Sequence, residues 1–506
     1  MPQSIGSGGA LLDYDNDGRL DIYLIHNVST NSRSTNRLFH QEPDGHFRDV
    51  SEGSGLDVTC YGMGVAVGDL NNDGLPEVLL TEFGNTRLFA NRGSGHFEDV
   101  TGQAGIANIG WATAAAFLDY DRDGWLDLVL VNYVDYSPTI KCYDTRGALE
   151  YCGPQGIQAT SSRLFHNLGP DAQASVRFQD VTVTSLLAQK TGAGLGVLCA
   201  DFNGDHWPDI LIADDGLPNR LFINQRNGTF KEEAVQRGLA YNSFGSSAAN
   251  MGIAFGDVDG DGLFDLFIPH VSWEQHGLWK QGPAGLFQEK AMDAGLSNLA
   301  RRGTGFGAVL ADFDLDGDLD LAFVNGRIKR GDDPGPYPAE LDPHWRPYAQ
   351  KNQLLANNSQ GGFREISDAN PALCTRAGVG RGLVCGDIDN DGAPDLLVIN
   401  TGANVQLLHN VALRRGHWLT IRAIDPNRGG RDAYGAEIFV QAGNSRWQRL
   451  IQPSYSFLVS NDPRAHFGLG SHTKVEAIRV VWPDGNEEDF PGGPVDRMIT
   501  LRKGGR

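Results

Sequence analysis

An all-β chain, folded as a seven-bladed β-propeller followed by a small C-terminal β-domain, is what this sequence predicts on three observations. A nine-residue acidic loop recurs seven times, each copy lies between two short apolar segments, and helical periodicity is nearly absent. The copies are DYDNDGRLD at 13, DLNNDGLPE at 69, DYDRDGWLD at 119, DFNGDHWPD at 201, DVDGDGLFD at 257, DFDLDGDLD at 312 and DIDNDGAPD at 387, spaced 56, 50, 82, 56, 55 and 75 residues apart. A 506-residue chain is too long for one ordinary core, and a period of this size signals blades or a solenoid.

Each unit reads alike. In GVAVGDLNNDGLPEVLL a strand runs into the acidic loop and out into a second strand; TRLFANRG and HFEDVT follow as third and fourth strands across a Gly-rich turn. Four short antiparallel strands, repeated seven times, make a propeller, with a plain array of β-sandwiches as the alternative. The ring is assigned to residues 1–411 and the tail domain to 412–506. Composition agrees: 65 glycines and 9% aromatics suit a loop-rich β protein. No apolar run approaches the length of a membrane span, and no basic patch offers itself to nucleic acid.

The loop spacing argues for a hard cation. Side chains at positions 1, 3 and 5 converge, glycine at position 6 takes the sharp turn, position 7 offers its carbonyl, and the acid at position 9 closes the shell. The ligands so assigned are Asp13, Asp15, Asp17, Arg19 and Asp21 in the first loop, and Asp69, Asn71, Asp73, Leu75 and Glu77 in the second. The third and fourth give Asp119, Asp121, Asp123, Trp125 and Asp127, then Asp201, Asn203, Asp205, Trp207 and Asp209. The fifth gives Asp257, Asp259, Asp261, Leu263 and Asp265; the sixth Asp312, Asp314, Asp316, Asp318 and Asp320; the seventh Asp387, Asp389, Asp391, Ala393 and Asp395. Oxygen donors alone suit Ca2+ better than Zn2+ or the smaller Mg2+.

An EF-hand needs a carboxylate at position 12 and flanking helices, but here position 12 is Leu24, Leu80, Leu130, Ile212, Ile268, Phe323 and Val398. These are therefore β-hairpin calcium loops. The bland alternative, a solvated charge run, leaves like charges crowded without a counter-ion. Up to seven Ca2+ would bring the formal charge from -21 to -7, so the acidity speaks of metal more than of partner. The fourth loop is the weak one, because His206 stands where the others carry glycine.

These loops, with their RLF, G-x-F-x-D-V-T and A-G-L/I elements, resemble FG-GAP/VCBS repeats of the integrin-α propeller type. GHWLTIRA at 416, YGAEIFVQAG at 434, HFGLG at 466 and VVWPDG at 480 resemble the ASPIC/UnbV domain, and CYDTRGALEYCGP at 142 strengthens a resemblance to the cartilage acidic protein/UnbV family. The resemblance implies a propeller, calcium and an extracellular or periplasmic setting. The chain opens without the export leader usual in that family, which keeps a cytoplasmic setting open. Blade seven, after VQLLHN at 405, lacks a G-x-F-x-D-V strand, so a ring closed imperfectly, or a last blade completed by the tail, is expected.

Loops joining first to second strands put calcium on one face. The insertions at 132–162 and 325–352, and the crossings around 241–250 and 297–305, fall on the other, where ligand binding is expected. Second strands end there at Asn27, Glu82, Asn132, Asp214, Asp215, His270, Asn325 and Asn400. Asp214, Asp215, Glu82 and His270 are the candidate acid/base groups; Asp214 and Asp215 are equally a candidate for a further cation site, with hydrogen bonding to loop backbone as their competing role. Asn132, Tyr133, Asp135, Asn325 and Trp345 are the candidate ligand contacts. Asp214→Asn is expected to spare the fold and weaken a ligand. His270, Glu274 and His276 match no zinc spacing, and His466 in HFGLG reads as structural. Cys142 and Cys152 form a disulfide if the chain is exported, whereas Cys199 and Cys385 sit in first strands as buried thiols.

Two functions follow. One is a calcium-binding scaffold or binding protein that takes a protein, glycan or small molecule on the insert face. The other, implied by the UnbV resemblance, is an enzyme of natural-product biosynthesis, performing a tailoring or cyclising step. No nucleophile elbow, phosphate loop or zincin helix is present in the sequence.

Overall fold

The computed structural model describes residues 1–27, 34–144, 146–170, 176–299, 301–332, 334–412 and 415–505. Six four-stranded antiparallel sheets and one three-stranded sheet follow one another along the chain, each begun by the strand that precedes an acidic loop. Blade two is typical: Gly62–Gly68, Glu77–Glu82, Asn85–Asn91 and Phe97–Asp99 pair in sequence order. First and second strands are buried along nearly their whole length, since each lies between neighbouring blades. No helix among the described residues is long and apolar enough to cross a membrane.

Neighbouring blades share apolar layers. Leu198 and Leu211 of blade four pack with Ile253 and Leu266 of blade five, and Leu11 and Ile22 of blade one pack with Val384 and Ile399 of blade seven. A second device repeats at every junction. An Asn or Gln at or near the end of each third strand donates its amide to the position-2 carbonyl of the preceding blade's acidic loop: Asn91 to Tyr14, Asn167 to Leu70, Asn224 to Tyr120, Gln281 to Phe202, Asn357 to Val258 and Asn410 to Phe313, at 2.8–3.1 Å. Gln41 of blade one completes the circle by donating to Ile388 of blade seven at 3.0 Å.

The ring therefore closes, contrary to the expectation from the short last blade. Among the described residues blade seven holds three strands, Gly380–Gly386, Asp395–Asn400 and Gln406–Leu408, and the tail adds none. Closure resides in side-chain amides and the shared apolar layer, so a missing outer strand costs little at the junction.

The tail forms two sheets. His417–Asp425 is flanked by Ala465–Gly470 and by Arg497–Arg502 in parallel; Glu437–Ala442 is flanked by Ser445–Leu450 and Lys474–Val481. Between Leu450 and Ala465 the chain leaves these sheets and enters the axial channel. There Ser460 accepts from Leu11 N and donates to Gly9 O, Ser456 exchanges backbone bonds with Ile253, and Asn461 Oδ1 accepts from Cys385 N. Ser456 Oγ takes Ala308 N–H and donates to Leu383 O, while Gln452 Nε2 reaches Phe117 O and Cys199 O. Residues leading into the innermost strands give up side chains to admit it: a Cβ at Gly8 would lie 1.6 Å from Leu458 O, and one at Gly252 2.6 Å from Ser456 O. At the far end Phe457 and Leu458 pack among Ile5, Met63, Trp111, Tyr133 and Phe306. The channel is a packed core, filled by the chain's own tail.

Candidate functional site

All seven acidic loops share one geometry. The position-1 carboxylate accepts the N–H of position 6 at 2.5–3.0 Å, from Gly18, Gly74, Gly124, His206, Gly262, Gly317 and Gly392. The position-9 acid accepts from position 2 at 2.8–3.4 Å. In six loops its other oxygen accepts from the third strand, as Asp21 does from Gln41 N at 2.8 Å. This acid therefore ties the loop to its blade as well as facing the loop's centre. Backbone φ is positive at position 6 and also at position 4, in Asn16, Asn72, Arg122, Gly204, Gly260, Leu315 and Asn390. Position 4 has a second task. Asn16, Asn72 and Arg122 donate to the position-6 carbonyl of the next loop, Gly74, Gly124 and His206, and Asn390 donates to Gly18.

The loops are rich in uncompensated oxygen. Asp15 Oδ1, Glu77 Oε1, Asp119 Oδ1, Asp259 Oδ1 and Asp387 Oδ1 are buried without a hydrogen-bond donor. Burial pushes Asp21 and Asp320 up to about 7 and Asp127 and Asp265 up to about 8, with neighbouring loop carboxylates adding to the rise. A divalent cation held by oxygen atoms supplies the missing charge, so the residues fit Ca2+. The sequence reading missed the third-strand side chains beside these loops. His40, His166 and His409 place Nδ1 3.1–3.2 Å from Asp21, Asp127 and Asp395, and Lys280 pairs with Asp259 at 2.8 Å. The signal was the residue just before the recurrent Asn or Gln, as in RLFHQ and RLFHN.

The tail lies on this same face. Trp447 Nε1 donates to Gly317 O at 2.9 Å, His466 Nε2 lies 2.8 Å from Gly392 O, and Arg431 bonds Asn72 Oδ1 and Gly124 O. Burial raises Asp13, Asp69, Asp119, Asp257, Asp312 and Asp387, and tail arginines oppose that rise: Arg422 at Asp13, Arg431 at Asp69 and Asp119, Arg449 at Asp257 and Asp312, and Arg464 at Asp387. Loop four is the exception, because Glu437 approaches Asp201 there. His466 is half-buried, and desolvation lowers it to about 4, which fits a neutral structural group.

On the opposite face the sequence candidates do not form one site. Asp214 is buried and clasped by Arg220 through two bonds of 2.8 Å. Asp215 accepts from Tyr133 Oη at 2.6 Å, and both are buried, so Tyr133 has no surface to offer a ligand. Glu82 pairs with Arg87 at 3.0 Å. His270 is fully buried, with Nδ1 2.6 Å from Gln275 O, and burial lowers it to about 4. Asn132 and Asn325 are buried, donating to Ser161 O and Lys351 O; Asp135 is exposed on the blade-three insert. The expectation for Asp214→Asn is therefore reversed: breaking the buried pair should cost about 3–5 kcal/mol, read as a lower midpoint in urea unfolding. An unchanged midpoint would return Asp214 to the list of ligand groups.

Two candidates do meet. Trp345 and Asn400, with Asn27, line a cleft of about 740 Å³ where blades one and seven join. Tyr151 from the blade-three insert stacks on Trp345, ring centres 5.7 Å apart and planes within 3°, and its hydroxyl lies 3.1 Å from His344 Nε2. Tyr151 and His344 were legible only as members of two long inserts. Cys142 and Cys152 are bonded in the insert that delivers Tyr151, while Cys60, Cys199, Cys374 and Cys385 are free and buried.

Residues 13–80, 69–130 and 201–268 match the FG-GAP-like repeat model, and residues 426–506 match the model for ASPIC and UnbV. The chain is similar to human cartilage acidic protein 1, 24% identical over 390 residues, covering 72% of this chain and 53% of that protein. The mouse protein of the same name is 26% identical over 366 residues, covering 69% and 51%. The chain thus spans about half the length of the curated relatives it matches. Among solved structures, an Agrocybe aegerita lectin described as recognising non-reducing terminal N-acetylglucosamine aligns with TM-score 0.41 and 14% identity, covering 80% of this chain and 94% of the lectin. BBS1N, solved in complex with ARL6DN, aligns with TM-score 0.43 and 9% identity over 81% and 97%.

Proposed function

From a chain that carries FG-GAP-like repeats and an ASPIC/UnbV segment and is homologous to cartilage acidic protein 1, we propose a calcium-stabilised binding protein whose ligand enters the cleft between blades one and seven. One observation carries the reading. The acidic-loop face and the axial channel are taken up by the chain's own tail, whereas the insert face keeps a concavity of about 740 Å³. Its wall pairs an aromatic stack, Tyr151 on Trp345, with the amides of Asn400 and Asn404 and the carboxylates of Glu340 and Asp342. Flat apolar rings beside amides and acids suit a hydroxyl-rich ligand, and a glycan is the class we favour.

The Ca2+ sites lie on the other face and serve to hold the blades. The Cys142–Cys152 bridge and the calcium loops together suit an oxidising compartment outside the cytosol. Asp214, Asp215, Glu82 and His270, on which an enzymatic reading would depend, are all buried outside the cleft. Binding of Ca2+-loaded chain to a glycan array tests the proposal. Trp345→Ala is expected to abolish the wild-type signal and leave the melting temperature within about 2 °C, the response of a partly exposed site. A silent array for the wild type, or an equal signal from the variant, overturns the reading.

A further inference from the structure

Loop four departs from its six sisters in two ways at one place. His206 occupies the position-6 turn at φ 66°, where every other loop spends a glycine, and the glycine has moved to position 4 as Gly204. A side chain held in that left-handed region is strained, and strain kept by a fold points to a use for the side chain. The tail supplies the second departure. It sets an arginine toward the first carboxylate of every other loop, but toward Asp201 it sets Glu437. A nitrogen of His206 and carboxylate oxygens of Asp201 and Glu437 then lie within 4.8 Å of one another.

We infer that loop four binds one transition-type divalent cation, Zn2+ in chemistry, between Asp201, His206 and Glu437, and that this ion pins the tail to blade four. A cavity of about 20 Å³ lies at the cluster, lined by all three residues and by Gln452 and Trp482. That is room for an ion with a bound water. Two carboxylates balance the charge of a divalent ion, and an imidazole donor selects zinc-like metals over Ca2+, which takes oxygen alone. Existing partners leave the set in need of charge. Glu437 accepts from Gln448 Nε2 at 2.8 Å, and among the described residues it has no ion-pair partner. Asp201 accepts from loop N–H groups, and His206 Nδ1 lies 4.0 Å from its Oδ2. Of the nearby arginines, Arg226 pairs with Asp205, and Arg122 bonds His206 O and Asp484 O while covering Trp207. Ligand atoms around tetrahedral zinc sit about 3.3 Å apart, so a modest rotation of the side chains closes the shell.

The site lies far from the covalent joint. The chain passes from ring to tail just after blade seven, and blade four stands across the ring, so the ion gives the tail a second anchor.

The test uses the full chain held in excess Ca2+, exposed to Zn2+, dialysed, and assayed for bound zinc by mass spectrometry and for melting temperature. One tightly held Zn2+ per chain is expected, raising the melting temperature. Glu437→Gln should weaken it by more than about 100-fold, beyond the loss of an outer-sphere partner. His206→Gly should lose the zinc while melting higher than wild type in its absence, because the turn is relieved. His40→Ala, His166→Ala and His409→Ala should each keep the tight ion. A wild type without tight zinc, a Glu437→Gln variant that retains it, or loss that follows the third-strand histidines instead overturns the assignment.

Discussion

Excess EDTA is expected to lower the melting temperature of this protein by about 10 °C or more, an effect as large as any single substitution would have. A site filled at 100 times its dissociation constant stabilises the fold by about 2.7 kcal/mol. Several such loops together rival the 5–15 kcal/mol total of a typical domain. The effect has a pH signature. In the metal-free fold, burial lifts Asp21, Asp127, Asp265 and Asp320 to about 7 or 8, against an unfolded value near 4. Between those limits the folded chain binds more protons than the unfolded one. Stability of the chelated protein is therefore full at the acid end of that window and drains away as pH rises through it. Chelated protein should melt lower at pH 8 than at pH 5.5, and Ca2+ should add more at pH 8, where it no longer competes with protons. Calorimetry in EDTA and in Ca2+ at the two pH values decides. Identical melts with and without the ion would remove calcium from the account.

The second large effect concerns the axial segment. Phe457→Ala is expected to cost about 3–5 kcal/mol, the usual loss for a buried phenylalanine. Its ring packs among Ile5, Met63, Trp111, Tyr133 and Phe306, which come from several blades and the N-terminal turn. Ser456→Ala should cost a further ~1–3 kcal/mol by leaving Ala308 N–H and Leu383 C=O without their partner. Because the segment touches the ring on every side, ring and tail should unfold in one transition, and both variants should shift that transition as a whole. Val183→Ala, on a residue 76% exposed, serves as the control with a change within about 0.5 kcal/mol. Calorimetric scans that show separate ring and tail transitions, or no shift for Phe457→Ala, would mean that the segment does not hold the two together.

The seven blades were readable because the acidic loop is both frequent and rigidly spaced, and because a period of 50 to 82 residues leaves few architectures. What escaped was anything that depends on two distant stretches meeting. IQPSYSFLVSNDP belongs to none of the recurrent elements, yet it is the most enclosed stretch of the tail. Its counterpart was visible but mute: paired glycines in GMG, GLG and GRG that look like weak strand positions and in fact make space. Asp214 and Asp215 drew attention as neighbouring acids at a strand end. Nothing local announced that Arg220 and Tyr133 would satisfy them. Trp345 was found because it sits on an insert, while its stacking partner Tyr151 lies nearly two hundred residues earlier. Loop four was flagged at His206, but the opposing Glu437 is a tail residue with no sequence mark of its own.

The bond between Ser460 and the strand at Gly9–Leu12 joins the first blade to residues made only after the seventh. All seven blades emerge from the ribosome before the residues that fill their hub exist, so the nascent propeller waits with an empty bore. Synthesis of the axial segment, rather than completion of the last repeat, is when this molecule acquires its core.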